Sequence, residues 1–438
     1  LDAEAKPVEW TSINFFDVGY GILRNTTPRG TVSTLIDYGA SGSHDHPDKL
    51  NLDVWGFGQR LLPDPGSTWY ERPLYGNWYS TTVAHNTLVV DELNQRRGGG
   101  VDPDQIVYGP AETFAMQRAT IDTAYAGITM DRSSFVTPQY TADIFGAFAQ
   151  VPRKYDLAWH PVGELKSTGL ALEQYTFPEP RERGYNELAE TRAATTSDSY
   201  TIAVNNKATP IRLVAAGGVE TQVILGQGHL GLARPTTILQ RRHTNQTLWG
   251  NALDYSADGV VKAVKQTGSL ADGYGLLEVT TDDGVDLCFA SYRPGTYEFA
   301  GGLGTDAKQA MVMRKGDAVT AAYLGGGTML SIGEVSLRRS EPGLAYIEQA
   351  ETGAYIVGNP SPEDAKVTVR MRALRNMRAY RLDRNGRRTG DVKAAVNNDG
   401  SMKFDIPAAS RVEFAPANVA SVYQHRQQML AKRMAEQE

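Results

Sequence analysis

The side chains best suited to chemistry are concentrated between residues 42 and 91, in the stretch GSHDHPDKLNLDVWGFGQRLLPDPGSTWYERPLYGNWYSTTVAHNTLVVD. Three of the chain's seven histidines, His44, His46 and His85, lie within it. Imidazole nitrogens and carboxylate oxygens bind zinc, and imidazoles and phenols also transfer protons. The stretch is therefore the first candidate for a functional site.

The spacing of these residues predicts a metal site. His44 and His46 are two residues apart, so in an extended segment their side chains share one face. LNLDVWGFG is expected to form a strand, and a hairpin through LLPD would return Asp64 to the side of His46. His85 is expected to open another strand, HNTLVVD. Two imidazoles and a carboxylate from three strands are a common set of zinc ligands with one open or water-filled position.

A structural role is the alternative, and for His85 alone it is the preferred one. The combination of HxH, a following Asp64 and a third histidine favours a metal site over a structural role. Such a site needs further residues that fix the tautomer of each ligand histidine, and Asp45 and Asn86 are the candidates.

The length of 438 residues predicts two or more domains or a very large layered sheet system. Many glycines and tyrosines between short β-branched runs indicate an all-β fold. The net charge of −6 argues against a general nucleic-acid binder. The single cysteine, Cys288, excludes an intramolecular disulfide and a cysteine-based zinc site.

No apolar run reaches the length of a membrane span, so no membrane-spanning segment is expected. The sequence begins at Leu1 without a methionine or a signal peptide. This start is expected to be either a processing point or a cloning boundary.

Three domains are predicted along the chain. A large domain of antiparallel sheets is expected over 1–338, a small β-sandwich over 339–416, and a helix over 417–438. Asn385-Gly386 is a strong hairpin signal within the second domain. The helix should dock on a sheet or on a partner through an apolar stripe of Val419, Val422, Met429, Leu430 and Met434.

Arginines outside the histidine segment are candidates for binding an anion. Arg96 and Arg97 lie in a Gly-rich loop and could hold a carboxylate or sulfate, although a solvated loop is the preferred interpretation. QRRH, at 240–243, could also touch an anionic ligand, with an edge or solvent-facing strand as the preferred alternative. His160 is expected to be structural.

The motifs HxHPDKLNL, LLPDPG and AHNTLVVD closely resemble the C-terminal half of the heparinase II/III-like polysaccharide lyases, and within them the oligoalginate lyases. YDLAWHPVG and QRRH are also similar to that family. The resemblance therefore spans at least residues 13–245.

The resemblance implies a large antiparallel β-sandwich, a supersandwich, that packs against an N-terminal helical toroid with the active site between them. No counterpart of the toroid is found in this sequence, so the toroid, in a longer chain or as a separate chain, is an expected partner. By the resemblance His46, Asp64 and His85 bind a structural zinc ion, and His44 faces the substrate. Tyr75 is the expected catalytic tyrosine, with Tyr70 and Tyr79 as alternatives. The expected substrate contacts are Arg72, Tyr79, Arg96, Arg97 and Arg241.

The implied activity is β-elimination at a 4-linked uronic acid of an anionic polysaccharide or oligosaccharide, with alginate favoured over heparan sulfate. A zinc hydrolase using Asp45 or Asp48 is one alternative. A non-catalytic carbohydrate-binding protein using Trp55, Trp69 and Trp78 is another. The expected location is periplasmic or secreted, and homo-oligomerisation is left open.

Overall fold

The computed structural model describes residues 11–27, 29–40, 45–101, 106–111, 113–179, 182–206, 209–383, 385–416, 419–425 and 427–429. His44, one of the predicted catalytic residues, lies outside the described residues. Every strand pairing in the described part of the chain is antiparallel, and helical segments are short. The predicted all-β, antiparallel fold is therefore confirmed.

The chain divides into two compact units, Leu1–Leu270 and Ala271–Glu438. This division lies well before the predicted boundary at 338. One continuous strand, Val335–Gln349, runs through that position, and it forms a hairpin with the strand Ala318–Ile332. Because the ladder hydrogen bonds tie these two strands together, the chain does not separate there.

The first sheet of unit 1 contains the strands that lead to the histidine segment, in the order β1-β2-β3-β4-β5. Its strands are β1 (Ile13–Phe15), β2 (Tyr20–Thr27), β3 (Gly30–Asp37), β4 (Leu52–Gly56) and β5 (Gln59–Leu62). Val32, Thr34 and Ile36 of β3 are buried while their neighbours are partly exposed, the period of two expected for a strand with one covered face.

The second sheet of unit 1 is built around two long strands, β10 and β17, which pair from Tyr140↔Asp254 to Trp159↔Ile238. Its strands are β6 (Leu88–Val90), β7 (Ile106–Pro110), β8 (Ala115–Tyr125), β9 (Ile128–Val136), β10 (Tyr140–Trp159), β11 (Glu164–Thr168), β12 (Glu173–Gln174), β13 (Ala189–Thr196), β14 (Tyr200–Asn205), β15 (Ile211–Ala215), β16 (Thr221–Gln227) and β17 (Thr236–Asp254). The main order is β11-β14-β15-β17-β10-β9-β8-β7, with β6 on β10 and β16 on β17. The last strand of this unit is β18 (Val261–Thr267).

The two sheets of unit 1 share one hydrophobic core. Val32 and Ile36 of the first sheet and Phe145 and Trp249 of the second belong to the same buried cluster. The sheets therefore pack face to face, as in a β-sandwich. A smaller cluster around Trp78 fixes three helical turns, namely the π turn Tyr75–Tyr79 and the 3-10 turns Thr82–Ala84 and Tyr185–Glu187.

Unit 2 is also antiparallel and has a core of its own. Its strands are β19 (Tyr274–Thr281), β20 (Val285–Ser291), β21 (Tyr297–Glu298), β22 (Leu303–Thr305), β23 (Gln309–Lys315), β24 (Ala318–Ile332), β25 (Val335–Gln349), β26 (Tyr355–Asn359), β27 (Ala365–Arg370), β28 (Arg378–Leu382), β29 (Arg388–Asp391), β30 (Ala395–Val396), β31 (Met402–Ile406) and β32 (Ser410–Ala415). A 3-10 turn spans Arg372–Asn376.

The predicted terminal helix is present in part, as helical residues 422–425 and 427–429. Leu430 and Met434 of its predicted stripe lie outside the described residues. No helix in the described part of the chain is long and apolar enough to cross a membrane.

Candidate metal centre and active site

The three predicted metal ligands lie in loops that border strands. His46 precedes β4, Asp64 follows β5, and His85 follows the 3-10 turn Thr82–Ala84. The expectation that His85 opens a strand is therefore wrong, since β6 begins at Leu88. The reason is local: the imidazole of His85 bonds back to the carbonyl of Thr81 and closes the turn.

The structure brings these three side chains together. Their ligand atoms all lie within 4.8 Å of one another. Nδ1 of His46 is 3.1 Å from Nε2 of His85, and that nitrogen is 3.4 Å from Oδ2 of Asp64. Zinc bonds of about 2.0–2.2 Å place tetrahedral ligand atoms about 3.3–3.6 Å apart. The two distances are close to that spacing, so the donor set fits a zinc ion.

The tautomer of His85 is fixed by the backbone. Its Nδ1 lies 2.9 Å from the carbonyl oxygen of Thr81, which can only accept, so Nδ1 carries the proton. Nε2 faces His46 and Asp64, and it is the nitrogen of His85 that is left to bind an ion. The partner that orients His85 is thus Thr81, and neither Asp45 nor Asn86 has this role.

Asp64 is held by two neighbours that the sequence did not single out. Gly66, at φ +72°, donates its backbone N–H to Oδ1 at 2.7 Å. The Nδ2 of Asn51 donates to Oδ2 at 3.3 Å, and the Oδ1 of Asn51 accepts from the N–H of Asn86 at 2.8 Å. Asn51 therefore connects the loop of Asp64 to the residue that follows His85.

Asn86 and His160 form hydrogen bonds with the backbone of the loops that carry Asp64 and His85. Nδ2 of Asn86 donates to the carbonyl of Pro63 at 3.1 Å, and its Oδ1 accepts from the N–H of His160 at 2.7 Å. The His160 ring lies 2.8 Å from the carbonyl of Val83 and 3.2 Å from the hydroxyl of Thr237. Burial lowers the pKa of His160 to about 3, so this histidine is neutral. Its position agrees with the expected structural role.

Arg132 of β9 clamps both site loops at the backbone. It is fully buried and pairs with Asp143 at 2.8 Å, while its Nη1 donates to the carbonyls of Leu50 and Asn86. Leu50 has a φ of +62°, a conformation that costs a non-glycine residue energy and has to be held by its surroundings. Nothing in the sequence around Arg132 marks it for this role.

Carboxylates crowd the candidate metal centre. Oδ2 of the buried Asp48 is 3.7 Å from Nε2 of His85, and burial together with the charge of Asp64 raises the pKa of Asp48 well above its usual value. Burial and the nearby His85 lower the pKa of His46 to about 4. Burial and Asp64 raise the pKa of Asp53 to about 7. A cation would offset the repulsion among these clustered carboxylates.

Tyr75 is the tyrosine placed against the ligand set. Its ring centroid is 6.2 Å from that of His46, and Tyr70 packs on Tyr75 at 4.7 Å between centroids. Tyr79 is buried, and its hydroxyl accepts from the N–H of Gly231 at 3.0 Å. The structure thus gives Tyr79 a packing role, in place of the predicted contact with substrate.

The predicted arginines fall into two groups. Arg72, Arg96 and Arg97 are exposed, and Arg97 donates to the carbonyl of Asp45 at 2.6 Å. Arg241 is instead held inside the protein, where it pairs with Asp156 at 2.6 Å and with Glu92 at 2.7 Å.

The structure does not support substrate binding by Arg241, because these two carboxylates and the hydroxyl of Tyr175 already accept from its donors. At Gln240 and Arg241 the strand β17 pairs with both β10 and β16, so it is not an edge strand there. His243 is exposed, as the alternative of a solvent-facing strand expected. Of the candidate aromatic platforms, Trp55 and Trp69 are exposed and Trp78 is buried.

Comparison with known proteins defines the class of this segment. A model of the heparinase II/III-like C-terminal domain matches residues 8–142, which include all three candidate ligands and Tyr75. This part of the chain is similar to that family, so the resemblance read from the sequence is confirmed.

Two kinds of relative accompany the family match. An alginate lyase of Stenotrophomonas maltophilia (strain K279a) is 27% identical over 194 residues, which cover 39% of this chain and 26% of that protein. The crystal structure of a heparan sulfate lyase, HepC, from Pedobacter heparinus has a TM-score of 0.50 at 13% identity, covering 67% of this chain and 45% of the other. A chondroitin AC lyase variant from Streptomyces coelicolor A3 has a TM-score of 0.42 at 10% identity, covering 95% and 51%.

The chain thus spans about a quarter of the curated alginate lyase and less than half of the heparan sulfate lyase. At 13% identity the likeness to the heparan sulfate lyase shows a shared β-sandwich fold and nothing finer.

Proposed function

We propose that this chain supplies the β-sheet side of the active site of a polysaccharide lyase, which cleaves a 4-linked uronic-acid polymer by β-elimination. The observation that carries the proposal is the convergence of His46, Asp64 and His85, with the Tyr75 ring beside them, inside the segment that matches the heparinase II/III-like family. The name of the curated relative, an alginate lyase, supports the same reaction class.

In this proposal a zinc ion is held by His46, Asp64 and His85 and has a structural role. It would supply the positive charge that holds together the loops before β4, after β5 and after Thr82–Ala84. The reaction adds no water, so it requires no metal-bound hydroxide. The fixed orientation of the His85 ring and the hydrogen bonds to both oxygens of Asp64 support a site prepared for a cation.

The proposed chemistry uses the phenol of Tyr75. In β-elimination the C5 proton is removed, the bond from C4 to the bridging oxygen breaks, and a C4–C5 double bond forms. Tyr75 is proposed to take the C5 proton and return a proton to the leaving oxygen. The neighbouring carboxylate must be neutralised as charge develops, and His44, which lies outside the described residues, is proposed for that role.

Alginate is the favoured substrate, since the curated relative is named an alginate lyase, and heparan sulfate is the alternative. The exposed Arg72, Arg96 and Arg97 are the proposed contacts for its carboxylates. A helical toroid, in a longer chain or as a separate chain, is proposed to complete the cleft. A periplasmic or secreted location is proposed with it, because such polymers lie outside the cytoplasm.

A metal-dependent hydrolase is the second candidate, and one observation favours it. Asp48 lies 3.7 Å from Nε2 of His85 with a raised pKa, so it could serve as a general acid beside a metal-bound water. The two candidates differ in their product, because only elimination leaves a conjugated C4–C5 double bond.

Absorbance near 235 nm, where that unsaturated product absorbs, tests the proposal. The zinc-loaded chain is incubated with alginate, and in parallel with heparan sulfate, alone and with a separately produced helical toroid domain of a relative. The expected result is a rise in absorbance with alginate that depends on the toroid domain. New reducing ends without any absorbance would support the hydrolase and overturn the lyase.

A further inference from the structure

The arginine that follows Arg241 has very different surroundings. Arg242 is 6% exposed, and its donors reach only neutral groups: Nε meets the hydroxyl of Thr221 at 2.8 Å, and Nη1 meets the hydroxyl of Thr247 at 2.8 Å and the carbonyl of Leu248 at 2.7 Å. Within the part of the chain that the structure describes, no carboxylate pairs with Arg242 and Nη2 has no acceptor.

A buried guanidinium without a counter-ion is expensive, because three neutral acceptors and the Trp249 ring, 5.0 Å away, replace only part of the hydration that it loses. Burial lowers the pKa of Arg242 to about 10, which reflects that cost. The charge of the neighbouring Arg241 is instead balanced by two carboxylates within 2.7 Å, as is usual for a buried arginine. An anion from outside the chain would provide for Arg242 what Asp156 and Glu92 provide for Arg241.

Arg242 borders a cavity that could admit such an anion. The cavity has a volume of about 500 Å³. Its lining includes the neutral polar residues Gln222, Thr244, Thr247, Gln266 and Ser269, and the charged residues Arg241, Arg242 and Glu220. A second cavity of about 510 Å³ shares Thr195 and Gln222 with the first and reaches Tyr175. Each is in the size range of small-molecule sites, about 300–1,000 Å³. None of the proposed metal ligands lines either cavity.

We infer that the two cavities form one groove that binds an acidic oligosaccharide, with a carboxylate of one sugar on the guanidinium of Arg242. The hydroxyl and amide side chains along the groove match the hydroxyls of a sugar, and the Tyr175 ring at the far end offers a surface for a second sugar. The choice of a uronate rests on the proposed function. The groove would be a binding site separate from the metal centre, able to keep a polymer attached.

Isothermal titration calorimetry on the full zinc-loaded chain tests this inference. The probe is a saturated mannuronate trisaccharide, and mannotriose is the neutral control. To remove any contribution of the metal centre, the titration is repeated with His46→Ala. Binding of the acidic trisaccharide should persist in that variant, and mannotriose should bind at least about tenfold more weakly, since a charge-assisted contact is lost.

Arg242→Gln should weaken binding of the acidic trisaccharide at least about tenfold. Because Arg242 is buried, a second variant at the exposed rim guards against misfolding. His243→Glu places a negative charge at the groove and should weaken binding about threefold, whereas His243→Gln should leave it unchanged. If Arg242→Gln does not fold, the comparison of His243→Glu with His243→Gln tests whether the groove binds the acidic trisaccharide.

Three results would overturn the inference: no binding in the His46→Ala background, equal binding of mannotriose, or unchanged affinity in both Arg242→Gln and His243→Glu. If binding depends on Arg242 but no product absorbs at 235 nm, the inferred groove is supported and the proposed lyase activity is contradicted. If the product forms but binding does not depend on Arg242, the lyase activity is supported and the inferred groove is contradicted.

Discussion

Nε2 of His85 faces Nδ1 of His46 across 3.1 Å, while the opposite nitrogen of His85 bonds to the carbonyl of Thr81 at 2.9 Å. The buried ring of His85 is thereby fixed in both orientation and tautomer. Oδ2 of Asp64 lies 3.4 Å from Nε2 of His85, so the three side chains together supply three ligand atoms for a cation. The surrounding hydrogen bonds show which residues hold these side chains in place.

Removing the side chain of Asn51 should weaken zinc binding. Asn51→Ala deletes the hydrogen bond to Asp64 and the one from the N–H of Asn86, so the two ligand loops lose one of the links between them. Outer contacts of this kind are worth about 10–100-fold in metal affinity. Competition with a chromophoric chelator measures the change, with the exposed Asn245→Ala as the matched control. Equal affinities in the two variants would show that Asn51 does not support the site.

Breaking the Arg132 clamp should destabilise unit 1 strongly. Arg132→Met leaves Asp143 buried and unpaired and frees the carbonyls of Leu50 and Asn86, at an expected cost of about 3–5 kcal/mol in the free energy of unfolding. All six tryptophans lie in unit 1, so urea unfolding followed by tryptophan fluorescence reports this unit alone.

The double variant Arg132→Met/Asp143→Leu provides the control for that cost, because it removes the unpaired charge as well as its partner. It should recover a large part of the lost stability. A single variant that costs less than about 1 kcal/mol would contradict the clamp, since this is the range of an ordinary exposed ion pair.

Substitution of the three tyrosines should separate catalysis from packing. Tyr75→Phe should abolish the signal at 235 nm and leave zinc content and stability unchanged, because its ring would still pack on His46. Tyr79→Phe should cost about 1 kcal/mol in stability through the lost bond from Gly231, with little effect on turnover. Full activity of Tyr75→Phe, or its loss only in Tyr70→Phe, would move the catalytic role elsewhere.

His160 should make stability fall in mild acid. Its pKa is about 3 in the folded chain, whereas an unfolded histidine titrates near 6.5. Between about pH 6.5 and 3 the unfolded state therefore binds the extra proton, and the free energy of unfolding falls as the pH falls. From pH 7 to 5 the contribution of His160 amounts to about 2 kcal/mol.

His160→Gln removes this titration, so its stability should lose about 2 kcal/mol less than the wild type between pH 7 and 5. Urea unfolding of both proteins, followed by tryptophan fluorescence, checks the difference. His46 also has a lowered pKa, but it is present in both proteins and cancels in the comparison. Parallel stability profiles would mean that His160 is not buried as a neutral ring.

The sequence predicted those features of the fold and the site that depend on the spacing of residues within a short motif. The spacing of His46, Asp64 and His85 predicted a shared site, and alternating β-branched runs predicted antiparallel sheets. Contacts between distant segments leave no such pattern: Arg132 reaches Leu50 over 82 positions and Asn86 over 46.

For the same reason Arg241 looked free to bind a ligand, although its partners Asp156 and Glu92 lie 85 and 149 positions away. The predicted domain boundary at 338 rested on the run of short strands that follows it, but in the fold residue 338 is paired as part of β25. Pairing partners, more than composition, decide where this chain divides.

Anomalous diffraction at the zinc edge tests the central claim most directly. Crystals of the full chain, grown with one equivalent of zinc, are measured above and below the edge. The expected result is a single peak about 2.0–2.2 Å from Nδ1 of His46, Oδ2 of Asp64 and Nε2 of His85. A zinc-replete crystal without a peak between these three atoms would contradict the metal centre, and with it the structural basis proposed for the lyase.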